Sequence, residues 1–159
     1  MSKAEPGTRS RLVGLVISVA ALVVIADQLT KWWATNVLAD RDIDLVWTLR
    51  LRLIRNSGAA FSVAGGRGGI VGLLAIAVVV ALISFGRGIE TKLGAVSLGL
   101  VLGGAFGNIV DRIFRDGSGF LGGGVVDFVD LQWWPVFNLA DAAVSIGGLL
   151  LVFVISRSP

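Results

Sequence analysis

The sequence predicts an all-α polytopic membrane protein, and three observations lead there. Hydrophobic residues make up 55% of the 159 positions, with a mean hydropathy of +0.84. They fall into long blocks separated by short polar stretches, which is the pattern of bilayer-crossing helices. Trp pairs (Trp32–Trp33 and Trp133–Trp134) stand at block ends, where interfacial aromatic belts form. One membrane domain over 1–159 is expected, with spans at about 12–33, 70–85, 93–114 and 138–155. Segments of about 34–69 and 115–137 are expected outside the membrane.

The first span starts after a basic tail (Lys3, Arg9, Arg11) and continues through Asp27 to Trp33 without a small-residue cleavage site. It therefore reads as a retained helix, not a removed leader. Asp27 and Lys31, in DQLTK, lie four apart on one helix face. They can form an ion pair or contact a substrate, and the two roles are compatible.

Between the first two spans, Leu45 to Arg55 alternates. Trp47, Leu49, Leu51 and Leu53 share one face; Val46, Thr48, Arg50 and Arg52 share the other. Period two signals a strand, so a small β-sheet resting on the bilayer is expected here. NSGAAFS (Asn56 to Ser62) breaks it, and Asn56 alone would pass for a turn residue.

The span at about 70–85 contains no ionisable residue. In the next, Gly99, Gly103 and Gly107 recur every fourth residue, a small-residue stripe that lets another helix approach. Its end, GGAFGNIVDR, sets Asn108, Asp111 and Arg112 on one face; Asp111 with Arg112 reads most simply as a structural ion pair. In the last span, Asn138 can cap the helix with Asp141 at its third position. That assignment alone would explain Asp141.

Absences narrow the chemistry. There is no His and no Cys, which excludes a Ser-His-Asp triad, a His-ligated zinc or haem and a thiol nucleophile. Only Lys3, Lys31 and Lys92 could serve a Ser-Lys mechanism. The pI near 10.2 does not point to nucleic acid, because the basic residues are scattered beside the spans. For a hydrolase, carboxylates remain. Asp127, in VVDF, and Asp141 are expected to face each other at a membrane surface with a water between them. A close carboxylate pair shares a proton, so that one member activates water while the other polarises a carbonyl. The apolar neighbours of Asp127 favour its protonated form, and the helix N-terminus favours negative charge at Asp141.

Positive-charge counts do not fix the orientation. Six Lys or Arg lie on the side of the termini and eight on the other. Short basic segments flanking the spans favour termini inside, which gathers the polar span ends at the outer face.

In this arrangement the chain resembles the bacterial lipoprotein signal peptidases (signal peptidase II). The resemblance rests on DQLTK, NSGAAFS, GGAFGNIVDR, VVDF and FNLAD in that order around four spans. It implies a four-helix membrane peptidase domain with an extracytoplasmic β-cradle between spans one and two. It further implies a catalytic dyad of Asp127 and Asp141. A pocket would be shaped by Asp27, Lys31, Asn56, Gly58, Ala60, Phe61, Asn108, Asp111, Arg112, Asn138 and Ala140. The implied substrate is a prolipoprotein whose Cys carries diacylglycerol, cut before that Cys in the bacterial inner membrane. No metal or cofactor is implied, and the enzyme would act as a monomer among lipids. Asp130 matches no role in that pattern and reads as surface charge. The alternative is a small proton-coupled carrier using the same carboxylates. A carrier would more often show a mid-membrane charge and internal repeats, and neither is present.

Overall fold

A computed structural model describes residues 6–57, 73, 76, 77, 80, 90–117 and 121–157. The elements, in order, are α1 (Pro6–Val37), β1 (Ile43–Val46), β2 (Leu49–Asn56), α2 (Lys92–Phe114), β3 (Val125–Asp130) and α3 (Leu139–Ser156). Three helices are long and apolar enough to cross a membrane. They match the first, third and fourth expected spans. The stretch expected at 70–85 lies outside the described residues, except that Leu73, Ile76, Ala77 and Val80 are helical.

Glycines decide how the helices pack. A Cβ on Gly99 would meet Val16 and Val19, one on Gly103 would meet Ala20 and Val23, and one on Gly107 would meet Asp27. The contacts advance together along both helices, so α1 and α2 run parallel. Gly104 lies against the Ala140 carbonyl and Val144, while Gly147 lies against Ser97 and Leu100. That order runs in opposite directions, so α3 is antiparallel to α2. Glycine on two sides thus makes α2 the middle of the bundle, and the C-terminal ends of α1 and α2 meet the N-terminal end of α3. Gly104→Val is expected to lower stability by about 1–3 kcal/mol by overpacking this contact. Thermal unfolding in detergent micelles would measure the loss.

At 32 residues α1 is about 48 Å long, well beyond the ~30 Å hydrocarbon core. Its last turn carries the sheet. Ala34 and Leu38 form a buried cluster with Val126 and Phe128, packed by Ile43, Leu51 and Leu53. Trp33 meets Phe128 edge-on with ring centroids 6.5 Å apart.

The sheet differs from the expectation in two ways. The alternating stretch 45–55 is a hairpin, not one strand: it turns at Trp47–Thr48, where Val46 pairs with Leu49. No Gly, Asn or Pro marks that turn, and Trp47 itself takes φ 52°. The sheet is also not confined to the segment between the first two spans. Its order is β1-β2-β3, and β3 comes from just before the last helix. A six-residue strand holding two Asp offers little periodic signal. Asp130 is likewise no surface charge: it is 5% exposed and takes a 2.6 Å ion pair from Arg50.

A bulge in β2 matters for the site. Leu51 pairs with Val129 but Ile54 pairs with Asp127, so Arg52 and Leu53 together oppose Phe128. The extra residue flips the alternation. Beyond it Ile54 and Asn56, not Leu53 and Arg55, share the face of Asp127.

Candidate active site

The polar residues singled out in the sequence converge where the sheet meets the ends of the three helices. Asp127 sits mid-strand in β3 and is 2% exposed. Asn56 donates to its Oδ2 at 3.0 Å and Asn138 to its Oδ1 at 2.7 Å. Burial pushes its carboxyl up to about 6; the Asn56 and Asn138 hydrogen bonds pull down, while the Asp141 charge pushes further up. The folded chain therefore gains stability from protonating Asp127 in acid and loses that contribution as pH rises through about 6.

Asp141 stands in the first turn of α3, half-buried. It completes a capping box: its backbone N–H donates to Asn138 Oδ1 at 2.9 Å, and its Oδ2 accepts from the Asn138 N–H at 3.2 Å. The capping role read from the sequence is real. It leaves Asp141 Oδ1 to a different donor, the Asn108 amide, at 2.8 Å. Asn138 thus touches both carboxylates, and its amide also reaches Asn108 Oδ1 at 3.1 Å.

Beneath these lies a buried ionic network. Lys31 is 0% exposed and pairs with Asp27 at 2.8 Å and Asp111 at 3.0 Å. It also donates to Asn108 Oδ1 at 2.9 Å. With Lys31 and Asn138 both donating to Oδ1, the Asn108 NH₂ can only turn toward Asp141. The Asp27 and Asp111 carboxylates both also accept from backbone. The Ala140 N–H donates to Asp27 Oδ1 at 3.1 Å, and the Val126 N–H to Asp111 Oδ2 at 3.0 Å. These bonds lock α3 to α1 and β3 to α2. Asp27, Lys31, Ala34 and Leu38 follow one face of α1 at spacings of four and three, all at most 2% exposed.

The expected Asp111–Arg112 pair does not form. Neighbouring side chains on a helix diverge, and Asp111 instead binds Arg115, one turn on, at 2.7 Å. Arg112 is 7% exposed and, among the described residues, its Nη1 has no hydrogen-bond partner. Asp127, Asp111 and Asp141 all lie within its electrostatic reach. Two members of the network were not singled out from the sequence. Gln28 donates to Asp27 at 3.1 Å and to the Gly107 carbonyl at 3.1 Å. It lies one position off the Asp27–Lys31 face, so helical spacing hides it. Arg115 could have been found from its four-residue spacing to Asp111. Gly58, Ala60 and Phe61 lie outside the described residues.

Comparison with known proteins bears on this arrangement. Residues 19–157 match the family model described as signal peptidase (SPase) II. The chain belongs to the signal peptidase II family. Its relatives include the lipoprotein signal peptidase of Rhodococcus jostii, 45% identical over 93% of this chain and 75% of that protein. The lipoprotein signal peptidase of Mycobacterium avium is also 45% identical, over 92% of this chain and 80% of its own length. A solved structure described as a bacterial membrane enzyme superposes with a TM-score of 0.77 at 28% identity, covering 92% of this chain and 95% of that one. Membership makes the chain a protease and, with its apolar helices, a multi-pass membrane protein. For this signal peptidase II family member, nothing in the comparisons favours the carrier reading.

Proposed function

We propose that the chain is an aspartyl endopeptidase that removes the signal peptide from diacylglyceryl-modified prolipoproteins, cutting just before the lipidated Cys. One observation carries the reading: Asn138 contacts Asp127 and Asp141 at once. The Asn138 side-chain amide holds Asp127 while its backbone N–H holds Asp141, so the negative charge of Asp141 adds to the burial that keeps a proton on Asp127. The substrate class rests on the names of the relatives, which are called lipoprotein signal peptidases.

The chemistry follows aspartic-protease logic. The ionised carboxylate takes a proton from water as the water oxygen bonds to the scissile carbonyl carbon. The protonated carboxylate gives its proton to the carbonyl oxygen, leaving a neutral gem-diol. In the second step the carboxyl group that gained the water proton delivers it to the amide nitrogen. Its partner takes back a hydroxyl proton, and the C–N bond breaks. The products are a carboxyl terminus on the signal peptide and a free amine on the lipidated Cys. No metal or cofactor enters, and a single chain suffices. Lys31, Asp27 and Asp111 set the position of Asn108, and Arg112 keeps positive charge beside the pair.

The four-span count belongs to the same proposal. Because α1 and α2 run parallel, the chain returns across the bilayer between Asn56 and Thr91, where the helical residues Leu73, Ile76, Ala77 and Val80 fall. Both termini then lie on the cytoplasmic side of the bacterial inner membrane. The carboxylate pair lies at the outer face, where lipidated substrates are presented. Purified chain should cut a diacylglyceryl-modified prolipoprotein and leave the unmodified one intact; equal cleavage of both would remove the lipid from the specificity.

The pH dependence carries a sign. The pair works with one proton, and Asp127 holds it up to about 6 in the free chain. kcat/KM should therefore fall as pH rises past about 6. Asn56 stabilises the ionised form of Asp127, so Asn56→Ala should move that fall to higher pH. A pH profile of kcat/KM for the two proteins checks it, and a fall unmoved or moved toward acid would contradict the assignment.

A further inference from the structure

Exposed apolar side chains mark the lipid-facing surface of the bundle. On α1, Leu29 is 61% and Trp32 65% exposed; on α3, Leu149 is 74% and Val152 67%. The same character continues past the helix ends onto two turns. At the β1–β2 turn Val46 is 66% and Trp47 100% exposed, and after β3 Trp133 is 70% and Trp134 58%. The two turns are clipped together. Gln132 Nε2 donates to the Thr48 carbonyl at 3.1 Å, and the Arg50–Asp130 ion pair stands beside it. Both turns bend through left-handed residues, Trp47 at φ 52° and Gln132 at φ 66°. Glycine or asparagine suits that conformation; a bulky Trp is disfavoured there. Fully exposed Trp47 contributes no packing to the protein, and its backbone position would be easier with another residue. A lone exposed apolar residue needs no explanation, but three Trp on two joined turns form a patch.

We infer that Trp47, Trp133 and Trp134 anchor the sheet to the bilayer interface, with their indole rings at headgroup depth. The occupant follows from continuity. Only residues 135–138 separate Trp134 from α3, and 38–42 separate α1 from β1, so the patch borders the surface that already faces lipid. Indole has an apolar body and a polar N–H, and it settles where hydrocarbon meets headgroups. The anchor holds the far end of the hairpin on the membrane, while β2 reaches Asn56 and the carboxylate pair at its other end. This inference needs the membrane location of the family and does not depend on the catalytic assignment.

The test uses full-length chain in vesicles of phosphatidylcholine and phosphatidylglycerol, with Trp32, Trp33, Trp133 and Trp134 replaced by Phe so that Trp47 emits alone. Its emission should be blue-shifted, should lose most of its intensity when the acyl chains are brominated, and should resist aqueous iodide. Emission that iodide quenches and brominated lipid does not would overturn the anchor. If the multiple variant does not fold, the brominated-lipid quenching of wild type is compared with that of Trp47→Phe. A smaller absolute emission lost to brominated lipid in Trp47→Phe, at equal protein concentration, supports the anchor, and an equal loss overturns it. Trp47→Gly should unfold no earlier than wild type in micelles, since it relieves the left-handed position. An iodide-accessible Trp47 together with a raised KM for lipidated substrate in Trp47→Gly would make the residue a substrate contact and reject the bilayer as its partner.

Discussion

Asp141→Asn is expected to fold like wild type and to lose about 10²–10⁴-fold or more in turnover. The substitution separates two roles that one side chain plays. As a cap, Asp141 accepts a hydrogen bond from the Asn138 N–H, and an Asn side-chain oxygen can accept it as well. As a base, it must take a proton from water, and an amide cannot. A folded, inactive Asp141→Asn therefore assigns chemistry to Asp141; a folded, active one leaves it a helix cap. Asp127→Asn should behave alike, since an amide at 127 can neither hold nor return the shared proton. Circular dichroism and thermal unfolding in micelles, measured beside peptide cleavage, separate lost chemistry from lost fold.

Lys31→Met should give the largest loss of stability, about 3–5 kcal/mol, because it strands buried carboxylates without their cation. Asp27 and Asp111 are 0% and 1% exposed, and Lys31 lies within 3.0 Å of both. Asp111 retains Arg115, whereas among the described residues Asp27 retains neutral donors, Gln28 and the Ala140 N–H. The double variant Asp27→Asn/Lys31→Met removes the stranded charge and should recover more than half of the lost stability. Equilibrium unfolding in mixed micelles measures both. A Lys31→Met protein with the wild-type midpoint would show that the network contributes little to the fold. Turnover of the double variant adds a second readout, since Asn108 would lose the cation that orients it toward Asp141.

The parts of this architecture that were legible in the sequence are those written in composition or in helical spacing. The apolar blocks located α1, α2 and α3 to within a few residues at most boundaries; α1 runs further because helix continues past the hydrocarbon span. The four-residue glycine stripe marked a close helix contact without naming its partner, which is α1; Gly104 and Gly147, which seat α3, lie off that stripe. The DQLTK, GGAFGNIVDR and FNLAD segments marked the residues that do gather at one end. Pairwise contacts between distant segments were not legible. That Lys31 bridges Asp27, Asp111 and Asn108, and that β3 joins a hairpin from a remote part of the chain, depends on packing that local periodicity does not encode. The hairpin turn was hidden for a local reason: Trp47 occupies a position where sequence rules look for glycine or asparagine. The bulge that turns Asn56 toward Asp127 left a single mark, the adjacent apolar pair Leu53–Ile54 where the alternation changes phase, too brief to be told from an ordinary strand end.

The most direct test of the central claim is mass spectrometry of the products that wild type forms from a diacylglyceryl-modified prolipoprotein in water enriched in heavy oxygen, with Asp127→Asn and Asp141→Asn as paired samples. The account predicts a lipidated Cys as the new N-terminus, heavy oxygen in the carboxyl terminus of the released signal peptide, and no product from either folded variant. Cleavage at another bond, or undiminished product from both variants, would contradict it.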